Sequence, residues 1–188
     1  MATTADFKNG LYIDFNGKPC SIVWFQHVKP GKGPAFVKTK LRNLENGRIL
    51  EKTFNAGEKI DVITVEHREY QFLYADEDGF NFMNTETYDQ IPIAKGLITG
   101  VDFMKESDIV DVVSDADTNT ILYAEMPVKT VLRITHSEPG IKGDTATNST
   151  KPATLETGVE IRVPLFIEEG ELVQVDTRDG SYLQRVKE

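Results

Sequence analysis

The sequence has little that would tie it to a membrane or to an oxidising compartment. No apolar run approaches the roughly 20 residues of a membrane helix, and the first six residues lack the basic and apolar segments of a signal peptide. The single cysteine, Cys20, excludes an internal disulfide and is expected as a small apolar residue of a strand. We therefore expect a cytoplasmic protein that makes no membrane contact.

Residue sets that bind metals or perform catalysis are also scarce. His27, His67 and His136 are widely separated and have no partners at metal-ligand spacing. The acid-rich stretches 76–78 and 115–117 do not continue into the twelve-residue loop of a calcium site. No nucleophile–base pair or cofactor loop is visible. The pattern predicts no metal, no bound cofactor and no enzyme activity.

The charge of the chain is unevenly distributed. The net charge is −9, but residues 1–63 carry ten basic and six acidic residues, hence +4. Residues 64–128 carry three and fourteen, hence −11, and residues 129–188 carry eight and ten, hence −2. A basic first segment on an acidic body suggests that one end meets nucleic acid, although an acidic stretch can equally be a solvated surface.

Apolar and polar residues alternate through most of the chain, with turn signals about every ten residues, and this predicts a mostly β fold. The segment 36–42 shows the alternation best, with one face expected to pack and the other to be positive. The packed residues would be Val37, Thr39 and Leu41, and the positive ones Lys38, Lys40 and Arg42. Three pairs predict hairpin turns. They are Asn46-Gly47, Asp78-Gly79 and Asp179-Gly180.

Only short helices are expected, around 85–90 and 105–109. The aromatic residues of the acidic middle segment recur with a spacing of two and are expected on one packed face. They are Tyr70, Phe72, Tyr74, Phe80 and Phe82. The shifts in charge predict three modules, 1–63, 64–128 and 129–188, each of a size that suits a five- or six-stranded barrel with closed edges.

The loop 27–36 is the most unusual stretch of the sequence. Pro30 and Pro34 restrict its backbone, whereas Gly31 and Gly33 permit conformations that other residues avoid, and Lys32 is left at the apex. The alternative interpretation is an ordinary solvated turn lysine. Nearby cations favour a tip guided towards phosphates. They are Lys29, Lys38, Lys40 and Arg42.

Two other roles for Lys32 fit the sequence poorly. A phosphate-binding P-loop would need glycine at Gln26 and serine or threonine at Gly33. A Schiff-base lysine would need an apolar pocket to lower its pKa, which an exposed tip among cations does not supply. Lys32 is therefore expected to bind or position a partner.

Residues 151–170, KPATLETGVEIRVPLFIEEG, resemble the C-terminal signature of bacterial elongation factor P at every position. Two other segments resemble the same family and occur in the expected order before this one. They are residues 29–33 (KPGKG) and residues 143–145 (GDT), and with them the resemblance covers essentially the whole chain. The resemblance implies an N-terminal KOW-type barrel and two OB-type barrels, arranged in an L like a tRNA.

The same resemblance implies a function. Such a factor binds the ribosome between the peptidyl and exit tRNA sites, contacts rRNA of both subunits and the peptidyl tRNA, and relieves stalling at consecutive prolines. Lys32 would be the tip, extended in many members by β-lysine or another group that a modifying enzyme adds. Further RNA contacts are implied for five residues. Gly143, Asp144 and Thr145 would approach the exit-site mRNA codon, and Tyr182 and Arg185 are weaker candidates.

A second hypothesis does not involve the ribosome. OB barrels and a lysine-rich strand also suit a protein that binds single-stranded nucleic acid by stacking bases on exposed aromatic residues. In both hypotheses we expect a monomer.

Overall fold

The computed structural model describes residues 2–77, 79–138 and 150–187. Four residues of the sequence predictions lie outside the described residues. They are Asp78 of the second hairpin and Gly143, Asp144 and Thr145. Strands hold 57% of the described residues and helices 5%, which confirms the mostly β fold. In the described part of the chain, no helix is long and apolar enough to span a membrane.

The strands of the described residues are numbered here in chain order. They are β1 (Ala2–Thr3), β2 (Tyr12–Asp14), β3 (Pro19–Val28), β4 (Phe36–Asn43), β5 (Ile49–Asn55), β6 (Lys59–Ile60), β7 (Val65–Asp76), β8 (Gly79–Asn84), β9 (Gln90–Ile93), β10 (Ile98–Thr99), β11 (Ile109–Asp115), β12 (Ile121–Glu125), β13 (Lys129–Ser137), β14 (Thr150–Leu155), β15 (Glu160–Pro164), β16 (Leu172–Asp176) and β17 (Tyr182–Val186).

A four-stranded antiparallel sheet in the order β2-β3-β4-β5 dominates the N-terminal segment, where β1 also pairs with β6. Strand β4 confirms the predicted alternation, since its side chains from Val37 to Leu41 are alternately buried and exposed. The buried side chains belong to one core. Its members include Phe7, Ile13, Cys20, Ile22, Val37, Leu41, Phe54 and Ile60. Cys20 is fully buried, as predicted, and burial raises the pKa of its thiol.

A six-stranded sheet follows in the order β10-β12-β11-β7-β8-β9. Tyr70, Phe72 and Phe82 are buried in it, as predicted, and Phe80 is partly buried. The prediction is wrong for Tyr74, which is 49% exposed. The register shifts between Phe72 and Tyr74, and this β-bulge adds a residue that reverses the alternation of faces.

The C-terminal sheet has the order β15-β14-β13-β16-β17. Its core has ten buried residues, including Leu132, Ile134, Leu155 and Val173. Phe103 belongs to the same core although it comes from a 3-10 turn at Val101–Phe103, well before these strands.

The two predicted helices are wrong. At 85–89 the Asn84 side chain accepts hydrogen bonds from the backbone N–H groups of Glu86 and Thr87, so that the chain turns instead. At 105–108 the Asp108 carboxylate accepts from the backbone N–H of Lys105. The observed helices are single 3-10 turns. They lie at Thr4–Asp6, Lys95–Leu97 and Val101–Phe103.

The hairpins predicted at Asn46-Gly47 and Asp179-Gly180 are present, between β4 and β5 and between β16 and β17. Gly47 and Gly180 adopt φ of +68° and +74°, the left-handed region that glycine tolerates. Strands β7 and β8 also form a hairpin and pair from Asp76 and Gly79 onwards.

The chain forms two compact units. The first contains Met1–Arg68 and Val112–Ala124, and the second contains Glu69–Asp111 and Glu125–Glu188. Within the first unit, Ala116 donates its backbone N–H to the carbonyl of Thr64 at 2.8 Å, and the hydroxyls of Tyr12 and Tyr123 are also 2.8 Å apart.

Candidate functional site: the Lys32 hairpin and the basic face

The candidate site begins where β3 and β4 stop pairing. The last paired residues are Val28 and Phe36, so residues 29–35 form the connecting loop. From Lys29 to Pro34 every residue is exposed. The loop is an exposed hairpin tip with Lys32 in its middle.

The backbone of this loop depends on one of its two glycines. Gly33 has φ +105°, which side-chain-bearing residues rarely adopt. Gly31 has no such φ, so of the two glycines only Gly33 uses this backbone freedom in the structure. A Cβ on Gly33 would lie 4.0 Å from Cγ of Pro30, an ordinary van der Waals distance, so a side chain here is disfavoured by the backbone conformation and not by crowding. Gly33 thus sets the direction in which the chain leaves Lys32.

The Lys32 ammonium has no carboxylate or carbonyl partner among the residues that the structure describes. The neighbouring Lys29 is equally without a side-chain partner there. An exposed ammonium of this kind keeps all three of its N–H donors for another molecule. The tip can therefore donate hydrogen bonds, contact phosphates or accept a covalent addition at Nζ.

A basic face continues from the hairpin along β4. Lys38, Lys40 and Arg42 are exposed on the side of the sheet opposite the core. Lys40 lies 3.6 Å from Glu51 of β5, with 49% and 78% of the two side chains exposed. Such exposed pairs are weak, so Lys40 can exchange its partner for a phosphate at little cost. We call Lys38, Lys40 and Arg42, with the residues beside them on this side of the sheet, the basic face.

Sequence reasoning missed one residue of the basic face. Trp24 lies directly opposite Lys40 in the β3–β4 ladder and is 40% exposed. The alternation of the strand would have buried it with Ile22, but the register shifts between these two residues. A bulge leaves no signal in the spacing of apolar residues, so the sequence alone could not reveal this position.

The C-terminal candidates for RNA contact, Tyr182 and Arg185, differ from the hairpin lysines in their surroundings. Tyr182 is partly buried against the core of the C-terminal sheet, and burial raises the pKa of its hydroxyl. Arg185 donates to Glu171 at 2.9 Å, and its guanidinium lies 5.9 Å from the ring centre of Phe166. The hydrogen bond that Glu171 accepts from the backbone N–H of Glu168 and the one from Arg185 lower the pKa of the Glu171 carboxyl. Roles in RNA contact stay predictions for Tyr182 and Arg185.

Nothing in the described residues resembles a metal centre, because no three histidine, cysteine or acidic side chains are close enough to share an ion. His136 lies 3.8 Å from Glu169, and both are well exposed. The arrangement that the structure does offer is an exposed amine at the tip of a hairpin, unpaired within the described ranges, with a positively charged sheet face next to it.

Models of three domains match the chain in order. They are the elongation factor P KOW-like domain at residues 3–60, the elongation factor P OB domain at 65–121 and the elongation factor P C-terminal domain at 130–185. Among solved structures, translation initiation factor 5A from Methanococcus jannaschii has a similar fold, with a TM-score of 0.50 at 23% identity, over 65% of this chain and 94% of that one.

Curated relatives are similar over their whole length. Elongation factor P 1 of Porphyromonas gingivalis is 58% identical over 188 residues, which is 100% of both chains. Elongation factor P of Bacteroides thetaiotaomicron is 55% identical over 187 residues, again with full coverage of both. With three domain models matched in order and relatives of this similarity, the chain belongs to the elongation factor P family of translation factors.

Proposed function

We propose that this factor binds the ribosome between the peptidyl and exit tRNA sites and promotes peptide-bond formation at consecutive prolines. Lys32 would reach the acceptor end of the peptidyl tRNA. The protein would act in the cytoplasm as a monomer, and the ribosome would perform the chemistry.

The exposure of Lys32 at the hairpin tip is the observation that supports this proposal most strongly. Within a family of translation factors, the chain presents an exposed Lys32 ammonium, with no partner in the part of the chain that the structure describes, on a hairpin turned at Gly33. A positively charged amine suits the phosphate and ribose groups at the end of a tRNA. The basic face behind the tip would hold further RNA phosphates through Lys38, Lys40 and Arg42.

Positioning is a sufficient mechanism for proline. The ring fixes φ and makes the nitrogen a secondary amine, so proline is a poor donor and acceptor of the growing chain. A group that holds the peptidyl tRNA in an attack geometry lowers the entropic cost of bond formation. About 3 kcal/mol of better positioning raises the rate by more than a hundredfold. A few contacts by Lys32 can supply this.

We further propose that Lys32 Nζ is the acceptor of a covalent extension, either β-lysine or another group added by a lysine-modifying enzyme. Its exposure and its lack of a partner among the described residues leave it accessible to such an enzyme. Intact-mass spectrometry of the protein purified from its native host, followed by digestion, measures the extension. An added mass on Lys32 is expected, and an unmodified Lys32 would contradict this part of the proposal.

The C-terminal segment would supply the contacts with the small subunit. Gly143, Asp144 and Thr145 would approach the exit-site mRNA codon, and Tyr182 and Arg185 would contact RNA. The exposed guanidinium edge of Arg185 supports this for one of them, since its side chain is 44% exposed despite its bond to Glu171.

A reconstituted translation assay tests the proposal. Two reporters that differ only in a run of prolines are translated with and without the purified factor. The factor should raise the yield of the proline reporter and leave the other unchanged. Equal effects on both reporters, or none on either, would rule out the proposed function.

A further inference from the structure

Trp24 is the only tryptophan of the chain, and it faces solvent on the N-terminal sheet. Ile22 and Cys20, two and four residues earlier, are fully buried, so a regular strand would bury Trp24 with them. The β-bulge between Ile22 and Trp24 adds Val23 and reverses the alternation. The backbone of β3 is thus shaped so that a large aromatic side chain lies outside the core.

Cations surround this side chain. Trp24 is directly opposite Lys40, and the next positions on the same side pair Gln26 with Lys38 and Ser21 with Arg42. Directly opposed residues of an antiparallel pair project to one face, so the indole and the cations share it. The weak Lys40–Glu51 contact is the one carboxylate partner that these three cations have among the described residues. The basic face combines an accessible ring with net positive charge.

This combination is typical of surfaces that bind unpaired nucleic acid, where bases stack on aromatic rings and cations follow the backbone. A bulge that served only to curve a small barrel could place any polar side chain on the outside. A solvent-facing tryptophan leaves apolar surface in water, which a stacked base would cover. The charge and the ring therefore point to RNA as the partner.

We propose that Trp24 stacks on an unpaired base of ribosomal RNA while Lys40 and Arg42 bind the adjoining phosphates, an inference that rests on the proposed function. Trp24 and Val28, the last paired residue before the hairpin loop, are about 13 Å apart along β3, and Lys32 lies beyond Val28. The proposed function assigns the unpaired acceptor end of the tRNA to Lys32. The adjacent tRNA stem has paired bases that offer no free face, so the stacked base is assigned to ribosomal RNA.

Binding and activity measured together test the role of Trp24. Trp24→Ala should raise the factor concentration for half-maximal relief of proline stalling roughly tenfold and leave the relief at saturation unchanged. Trp24→Phe keeps a ring and should stay within about threefold of the wild type. Tyr74→Ala, which removes the exposed ring after the other bulge, is the matched control and should have no effect. An unchanged half-maximal concentration for Trp24→Ala would overturn the inference.

The identity of the partner is tested on the ribosome with a photoreactive benzophenone amino acid at position 24. After irradiation of the complex, crosslinks to ribosomal RNA are expected. Crosslinks only to tRNA, only to ribosomal protein, or none at all would overturn the assignment. The reporter assay tests relief of stalling itself, so failure of the proposed function and failure of this inference give different results.

Discussion

The cations of this chain fall into two groups at the scale of single residues. Arg178 donates to Asp176 at 2.6 Å, and Lys105 donates to the carbonyl of Val131 at 3.3 Å, so both contribute to the fold. Lys32 and Arg42, in contrast, have no side-chain partner among the described residues. Lys129 and Arg162 of the C-terminal sheet also have no hydrogen-bonded or ion-paired side-chain partner there, so a missing partner alone does not mark a binding surface. What distinguishes Lys38, Lys40 and Arg42 is that they alternate along one face of one strand, next to the Lys32 hairpin, where they are available to RNA phosphates.

Asp176 should make the stability of the protein depend on pH in acid. Hydrogen bonds from the Arg178 side chain and backbone lower the pKa of this carboxyl from 3.8 to about 2. A lowered folded-state pKa stabilises the fold above pH 4, and that stabilisation is lost as the pH falls from about 4 to 2. Urea unfolding followed by circular dichroism measures it. Asp176→Asn should be less stable than the wild type at pH 7 and should approach it near pH 2.

The same urea unfolding series, measured from pH 7 to pH 2, can also contradict the stabilising role of the Asp176 carboxylate. If the difference between wild type and Asp176→Asn stays constant from pH 7 to pH 2, the carboxylate does not stabilise the fold through its charge. Asp179→Asn is a suitable comparison. Its pKa is lowered mainly by the Ser181 hydroxyl and backbone, without a bidentate arginine, so a smaller pH dependence is expected.

At the scale of elements, sequence patterns predicted strands well and their irregularities poorly. Strand β4 was predictable because its alternation of apolar and charged residues is regular from Phe36 to Arg42. The hairpin turn at Asn46-Gly47 was predictable because few residues other than glycine tolerate the positive φ that Gly47 adopts. The bulges of β3 and β7 were not predictable, since an inserted residue depends on the partner strand. They put Trp24 and Tyr74 on the outside, against the period of two.

The two wrongly predicted helices, around 85–90 and 105–109, also have a physical explanation. Asn84 and Asp108 use their side chains to bind nearby backbone N–H groups, which ends the strand or turn locally and competes with helix formation. Tyr88 and Ser107 adopt φ of +63° and +73°, which no regular helix allows. These choices depend on tertiary packing around each turn, so the local sequence left helix and turn undecided.

Gly180 should be intolerant of a side chain because of its position against another element. It has φ +74°, and a Cβ there would lie 2.9 Å from Cζ of Phe103. Gly180→Ala should cost about 3 kcal/mol of unfolding free energy, from backbone strain together with overpacking. Gly158 has φ +86° but nothing within 4 Å, so Gly158→Ala should cost only about 1 kcal/mol. Equal costs in urea unfolding would contradict the contact with Phe103.

The distribution of charge over the whole molecule was visible in the sequence, whereas the packing of the strands was not. The first 63 residues carry the excess of basic side chains, and both Lys32 and the basic face belong to them. The division into three modules at 63 and 128 stays a prediction. The structure groups residues 112–124 with 1–68 in one compact unit, and contacts such as that between Tyr12 and Tyr123 lie inside it. Charge shifts contain no information about such pairings.

Phe103 should be a major source of stability for the second unit. The ring is 9% exposed and lies in the core of the C-terminal sheet. Phe103→Ala removes a buried aromatic ring and should lower the unfolding free energy by about 3–5 kcal/mol. Phe166→Ala is the control, because that ring is 62% exposed and its contact with Arg185 is worth about 1 kcal/mol or less. Chemical denaturation of the full chain measures both, and a loss below 1 kcal/mol for Phe103→Ala would contradict its core role.

The rate of peptide-bond formation between two prolines on purified ribosomes, at saturating factor, tests most directly whether Lys32 is the working group. The account predicts that Lys32→Ala folds normally but loses nearly all of the stimulation, a decrease of about a hundredfold in rate. Lys18→Ala, which removes another exposed lysine from the turn before β3, should stimulate as the wild type does. If Lys32→Ala stimulates as well as Lys18→Ala, the central claim is wrong.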